Sequence, residues 1–460
     1  MPQKHLCRCL GVKGAAMRNL TLLTDLYELT MMQGYFKTGN NRTVIFDAFH
    51  RNNPCGGGYA IACGLDQVIE YIKNLHFTED DISYLRGLDL FDDDFLDYLK
   101  NFRFTGDVYA IPEGTLIFPR EPIVKVIAPV MEAQLVETAI LNIINHQSLI
   151  ATKAARVCYA AKGDGIMEFG LRRAQGPDAG IYGARAAVIA GCVGTSNVLA
   201  GKMFNIPVKG THAHSWIMSF PDEYTAFKTY ADLYPNACIL LVDTYDTLRS
   251  GVPNAIRVFN EMKEAGIELK GYGIRLDSGD LAYFSKKARK MLDDAGFKDA
   301  IISASSDLDE YLIDSLKTQG AAITSWGVGT NLITAKDNPA FGGVYKLAAV
   351  MGDDGKFIPK IKLSENSEKI TNPGNKTVYR VYDTDGMLKA DLIALTDEVY
   401  DENDPLLLFD PIETWKKTLL QPGEYTLREI LVPVFKDGEC VYTTPPVMDI
   451  QKYCKKELST

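Results

Sequence analysis

Between about residues 163 and 350 the chain repeats one rhythm: a short apolar strand, a polar or Gly-rich turn, then a helix. Strands are expected at 165–169, 190–193, 206–209, 237–242, 271–274, 300–304, 322–326 and 344–350. Helical patterns lie between them, as at 253–264, 281–295 and 308–318. Strands alternating with helices build parallel βαβ units. Eight such strands in one block favour a closed α/β barrel over an open sheet, and their uneven spacing makes it an irregular one. A barrel gathers the C-terminal ends of its strands into one mouth, where active sites of this architecture lie. Arg172, Ser196, His214, Asp243, Asp277, Ser305 and Gly327 all stand just after expected strands. An open doubly wound sheet would spread the same residues out.

The flanks read differently. A chain of 460 residues exceeds one ordinary core, so a second domain is expected. Residues 20–36 read as an amphipathic helix with Thr24 or Asp25 near its start, 43–49 and 107–118 read as strands, and 131–162 is a long helical pattern. After about 355 hairpins are expected, pairing 377–382 with 388–395 and 431–435 with 440–443. Pro433 cannot donate to a ladder, which demotes its strand to an edge. The expected division is a flexible extension over 1–16, a flanking α+β domain from 17–162 and 355–460, and a catalytic barrel over 163–354. The net charge of -10 argues against nucleic acid, although local cations can still capture small anions. Nine scattered cysteines without paired spacing fit free thiols in a reducing cytoplasm. No apolar run reaches membrane-spanning length, and no signal peptide is expected.

The most informative octet is Gly-Ile-Arg-Leu-Asp-Ser-Gly-Asp at 273–280, where a strand runs into a helix. Alternate residues of a strand share a face, so Arg275 and Asp277 point the same way. Ser278 and Asp280 fall at the helix start, where unpaired N–H groups favour oxygen ligands and anions. One cation, two carboxylates, a hydroxyl and a glycine suit a phosphorylated polyhydroxy ligand. At 169–177, Phe169 can stack on a planar ring, and Arg172 and Arg173 can grip a carboxylate through their planar forks; the competing reading is a core Phe with surface ion pairs. Gly327-Val328-Gly329-Thr330 offers backbone amides and a hydroxyl to a phosphate, and Ser303 to Asp307 adds a neighbouring hydroxyl cluster that also reads as a plain helix cap. His212 and His214 lie in Gly-Thr-His-Ala-His-Ser-Trp; with six histidines and no supporting Cys/His spacing, zinc is disfavoured. A histidine at a helix start can instead meet a phosphate or carry one. Neither a Walker A nor a dinucleotide motif is present, nor a nucleophile elbow. What remains is a barrel mouth of arginines, carboxylates and phosphate-binding turns, suited to electrostatic catalysis on a phosphorylated sugar.

Taken together, LLTDLYELTM (22–31), FGLRRAQGPDAG (169–180), GTSNVLAG (194–201), GTHAHSW (210–216), VDTYDT (242–247), IRLDSGDL (274–281), SWGVGTNLIT (325–334) and KLSENSEKITNPGNKTVYR (362–380) closely resemble the nicotinate phosphoribosyltransferases of the long, dimeric type. The resemblance implies a type II phosphoribosyltransferase: an irregular α/β barrel packed on an α+β domain. It implies joining of nicotinate to phosphoribosyl pyrophosphate, coupled to ATP hydrolysis and assisted by Mg2+, in a homodimer. It implies that Phe169 stacks on the pyridine, that Tyr27 of the neighbouring subunit covers the other face, and that Arg172 lies near nicotinate and pyrophosphate. Arg275 then binds the phosphoribosyl group, Asp277 holds ribose hydroxyls or Mg2+, and Gly327, Gly329 and Thr330 cradle the 5′-phosphate. Asp243 and Ser305 join the substrate-binding set, and His214 matches a histidine phosphorylated from ATP. His212 receives no role. Ser196 stands where nicotinamide-using relatives carry an aspartate, which would repel nicotinate's carboxylate; this favours nicotinate. The alternatives are a nicotinamide- or quinolinate-using enzyme of the same fold, a silent phosphoribosyl-ligand sensor, and a zinc hydrolase lacking its third ligand.

Overall fold

The computed structural model describes residues 19–363, 371–410 and 413–460; the extension expected over 1–16 lies outside them. Six parallel strands form the barrel: β1 (Gly165–Glu168), β2 (Gly194–Thr195), β3 (Ile239–Leu241), β4 (Gly273–Leu276), β5 (Ile301–Ser306) and β6 (Ser325–Val328). They are ordered β2-β1-β6-β5-β4-β3. Ile274, Leu276, Ile302, Ala304, Trp326 and Val328 are buried, as expected where helices cover a parallel sheet. Helices Pro177–Ile189, Val252–Glu264, Leu281–Asp294 and Glu310–Thr318 do the covering.

The ring closes irregularly. Beyond β2, Val208 makes one parallel bridge to Thr195, and the Lys209 N–H donates to the Thr195 carbonyl at 2.9 Å. Four residues later the gap to β3 is spanned by a side chain: the Leu241 N–H donates to His212 Nε2 at 3.3 Å. The ring of strands is therefore closed by an imidazole.

Three expected barrel strands differ from the structure. Residues 190–193 follow the C-terminus of Pro177–Ile189, and Gly191, at φ 121, turns the chain so that the strand starts only at Gly194. The segment 206–209 contributes a bridge rather than a strand. The expected strand 344–350 does form, as Gly343–Met351, but it pairs antiparallel with Thr43–His50 in the other sheet. The preceding strand β6 already has β1 and β5 on its two edges, so it offers no edge to a successor.

That other sheet has seven strands in the order Phe357–Pro359, Gly343–Met351, Thr43–His50, Val124–Pro129, Asp107–Ala110, Val432–Lys436 and Glu439–Cys440. Both ends of the described chain thus contribute to one α+β unit. The strand of Pro433, expected at an edge, has a neighbour on each side, Asp107–Ala110 and Glu439–Cys440; Pro433 stands opposite Tyr109 beside a bulge and outside the rungs shared with Glu439–Cys440, where a missing N–H is tolerated. The long helical pattern is two helices, Val130–Leu135 and Glu137–Ala160, meeting at Val136.

Helix Glu137–Ala160 joins the two units. Its fully buried Lys153 pairs with Glu310 at 2.7 Å and Asp337 at 3.0 Å, and Arg156 reaches Glu310 at 3.0 Å. Lys153→Met leaves Glu310 with Arg156 alone in a buried setting. We expect a loss of about 3 kcal/mol, the low end for breaking a buried pair, read as a lower unfolding midpoint in urea. Adding Glu310→Gln should restore part of it.

Candidate active site

Arg275, in β4, is the most constrained group in the barrel mouth. Its Nε donates to Ser305 Oγ at 2.9 Å, Nη2 to Asp277 Oδ1 at 3.2 Å, and Nη1 to Thr211 Oγ1 and to the His212 carbonyl at 3.3 Å. The Ser305 hydroxyl donates in turn to Asp277 Oδ1. β4 and β5 are parallel neighbours with Arg275 opposite Ser303, so Asp277 and Ser305 leave the sheet side by side. Burial raises the Asp277 carboxyl, but the Ser305 hydroxyl and the Arg275 charge outweigh it and hold the group below the usual carboxylate range.

Asp243, just after β3, supports this corner. Its Oδ2 accepts from the Asp277 N–H and the Ser278 hydroxyl, both at 2.8 Å, while its buried Oδ1 has no hydrogen-bond partner among the described residues. His214 Nδ1 lies 3.0 Å from Thr244 Oγ1. That leaves its Nε2 facing Asp277 Oδ2 at 3.7 Å and Asp243 Oδ1 at 3.9 Å. Asp280 instead caps helix Leu281–Asp294 through the Tyr283 N–H at 2.9 Å.

A cavity of about 270 Å³ opens here. Arg275, Asp277, Ser305, Ser306 and Asp307 line it together with Phe169, Arg172, Arg173, Gly327, Gly329 and Thr330, and Ser305 and Gly327 are paired rungs of neighbouring strands. The Phe169 ring lies against Gly327, where a Cβ would stand 2.5 Å from Phe169 Cδ2. Only glycine allows that approach. Arg172 and Arg173 sit on a single turn, Leu171–Arg173, and are exposed. Ser196 does not line this cavity; its N–H donates to the Glu168 carbonyl at 3.0 Å, next to Phe169. Tyr27, on helix Leu26–Thr38, is 45% exposed and does not line the cavity of its own chain. Among the described residues no three His, Cys, Asp or Glu side chains form a metal-binding group.

Sequence reasoning missed Thr211 and Thr244, which hold Arg275 and His214. Both lie inside quoted motifs, but a threonine beside a functional residue carries no separate signal. It also assigned nothing to His212, which closes the barrel and whose carbonyl holds Arg275. Because Nε2 accepts the Leu241 N–H, the ring is neutral with its proton on Nδ1. Burial, reinforced by the Arg275 charge, lowers its pKa to about 4.

Three family models match the chain: the nicotinate phosphoribosyltransferase N-terminal domain over residues 22–145, the nicotinate phosphoribosyltransferase family over 165–383, and the corresponding C-terminal domain over 375–460. The chain is 51% identical over 443 residues to nicotinate phosphoribosyltransferase of Bacillus subtilis (strain 168), covering 96% of this chain and 89% of that protein. It is 34% identical over 435 residues to the Homo sapiens nicotinate phosphoribosyltransferase, covering 82% and 80% respectively. The crystal structure of human nicotinic acid phosphoribosyltransferase superposes with a TM-score of 0.82 at 29% identity, over 95% of this chain and 93% of that one. A nicotinate-nucleotide pyrophosphorylase from Pyrococcus furiosus shares the fold, with a TM-score of 0.72 at 22% identity over 97% of each chain.

His212 generates a pH prediction. Unfolded, its pKa returns to near 6.5; folded, it is about 4. The unfolded chain therefore binds more protons between these values, so this contribution is full above pH 6.5 and is lost as pH falls toward 4. We expect His212→Gln, whose amide oxygen can accept the Leu241 N–H, to flatten that part of the wild-type stability profile. His212→Leu, which strands a buried N–H, should cost about 1–3 kcal/mol at pH 7 by urea unfolding.

Proposed function

The chain belongs to the nicotinate phosphoribosyltransferase family, and from that membership we propose how its barrel mouth carries out the reaction. It is an enzyme that joins nicotinate to 5-phosphoribosyl 1-pyrophosphate, giving nicotinate mononucleotide and pyrophosphate, a step of NAD biosynthesis by salvage. One observation carries the reading of the site: an aromatic ring against glycine and an arginine–carboxylate–hydroxyl cluster line a single cavity.

The pyridine nitrogen of nicotinate already holds a free lone pair. It attacks C1 of the ribose as the C1–oxygen bond to pyrophosphate breaks, and the bonding pair leaves with the pyrophosphate. No general base is needed. The demand is electrostatic: negative charge grows on the leaving group while the sugar turns oxocarbenium-like. Phe169 stacks on the pyridine. Arg172 stabilises the carboxylate and the leaving group, Arg275 and Ser305 hold the phosphoribosyl moiety, and Gly327, Gly329 and Thr330 cradle the 5′-phosphate. Asp277, kept ionised, holds ribose hydroxyls and stabilises the cationic sugar. The orphaned Asp243 Oδ1 and the accessible face of Asp277 fit a Mg2+ that arrives mainly on the substrate, since the described residues build no cage of their own. When bound, that ion would neutralise pyrophosphate charge.

ATP acts through His214. With Nδ1 engaged by Thr244, Nε2 is the nitrogen to attack the γ-phosphorus, breaking its bond to the β–γ bridging oxygen and releasing ADP. The phosphohistidine brings about -1.5 to -2 charges to the mouth and reorganises it to bind the pyrophosphate substrate more tightly. A homodimer completes the site. Leu26, Tyr27 and Met31 stand exposed on one helix, and Tyr27 of the second copy covers the free face of the pyridine. Free thiols at all seven described cysteines suit a cytoplasmic location.

The test is product formation from labelled nicotinate with phosphoribosyl pyrophosphate and magnesium, with and without ATP, and with nicotinamide in parallel. Nicotinate mononucleotide is the expected product, with a lower KM for the pyrophosphate substrate when ATP is present; turnover of nicotinamide instead would overturn the specificity. Ser196→Asp should raise the nicotinate KM about tenfold or more by placing two carboxylates together, and unchanged kinetics would refute that role. Mixing inactive Tyr27→Ala and Arg275→Ala proteins should restore about a quarter of the sites, because half of randomly mixed dimers are hybrid and each has one intact site. No recovery after subunit exchange would show that sites are not shared.

A further inference from the structure

Glu168, the last residue of β1, is completely buried. Among the described residues no lysine or arginine offsets its charge. Its Oε2 accepts the Thr195 hydroxyl at 2.6 Å, and its Oε1 accepts the Gly170 N–H. Burial pushes the carboxyl up, and these two bonds offset only part of the shift. An unpaired buried anion is costly, so the local geometry has to require it.

The requirement lies in hydrogen-bond polarity. Thr195 is fully buried; its Oγ1 accepts the Asn197 N–H at 3.0 Å, and its own proton, shut off from water, needs an acceptor too. Gly170 presents a second N–H to the same side chain. Two donors call for two acceptor oxygens, which a carboxylate has and an amide lacks. The position also limits its neighbour: a Cβ at Gly170 would stand 2.5 Å from Ile333 Cβ and 2.9 Å from Glu168 Oε1.

The two donors belong to different loops. Gly170 follows Phe169 and precedes Arg172, while Thr195 precedes Ser196. β1 and β2 share only the rungs Met167–Gly194 and Glu168–Thr195, so the ladder ends here. Beyond it, the loops are joined by the Ser196 N–H on the Glu168 carbonyl at 3.0 Å and by the Glu168 side chain. We infer that Glu168 is a positioning residue that clamps the ring-stacking loop to the Ser196 loop and so sets the slot for the base, an inference that rests on the roles proposed for Phe169 and Ser196. It touches no substrate. It fixes the separation of the cavity-lining Phe169 and the loop that carries Ser196, where a shift of about 1 Å is enough to cost large factors.

Steady-state kinetics of the full chain separates the clamp from a merely structural role. Glu168→Ala should raise the nicotinate KM about tenfold or more while the phosphoribosyl pyrophosphate KM stays within about twofold. Glu168→Gln and Thr195→Val each break the same arm, so each should give an intermediate increase, and the double variant should be no worse than either alone. If Glu168→Ala fails to fold, those milder variants decide. The clamp is overturned if both KM values rise together, or if the double variant is additive. Phe169→Ala and Ser196→Asp serve as controls. If they raise the nicotinate KM and the Glu168 variants do not, only the clamp fails; if they too leave it unchanged, the reading of the site fails with it.

Discussion

The mouth of this barrel depends on satisfying one guanidinium. Arg275 stands in a sheet whose interior is apolar, and its fork is planar and rigid. Each N–H taken from water needs an acceptor at a set angle, or the desolvation cost goes uncompensated. Thr211, the His212 carbonyl, Asp277 and Ser305 supply them. These acceptors come from two loops and the end of β5, so meeting the demand of one side chain brings three segments together. His212 adds the closing bond to β3, and Asp243 braces the backbone at Asp277. The geometry of the candidate site and the closure of the barrel are the same network.

Charge is arranged locally against the sign of the whole. The chain carries a net -10, yet its cavity gathers three arginines around phosphate-sized space. The carboxylates there are matched by hydroxyls and N–H groups, so the corner near Arg275 can stay ionised without cancelling the cations. A site of this kind lowers a barrier by stabilising charge that appears during the reaction, with no need for a strong base. The absence of a nucleophile motif in the sequence therefore agrees with a substrate that carries its own nucleophilic nitrogen.

Much of the site was legible because parallel βαβ units export their functional residues to predictable places. Arg275, Asp277, Ser305, Gly327 and Phe169 all stand in the last residues of apolar strands or just after them, and they meet in one cavity. The number of barrel strands was not legible in the same way. Gly343–Met351 has the apolar pattern of a barrel strand, but its hydrogen bonds go to Thr43–His50, some three hundred residues earlier. Strand propensity marks a segment as half-buried and extended; it does not say which edge is vacant. His212 escaped for a related reason. A histidine two positions before His214 looks like half of a metal site, whereas its acceptor role needs Leu241, which only closure brings near.

The sequence alone determined the kinds of element, the alternation that makes strands parallel, and the motifs whose side chains share a strand-end mouth. These follow from periodicity, turn chemistry and the handedness of βαβ units, which act over short stretches of chain. Tertiary structure decided which strand edges were free, that an imidazole and not a ladder seals the barrel, and that Glu168 joins the loops of Phe169 and Ser196. Each of these is a hydrogen bond between distant segments, and its worth depends on burial and on competing partners that exist only once the chain has folded.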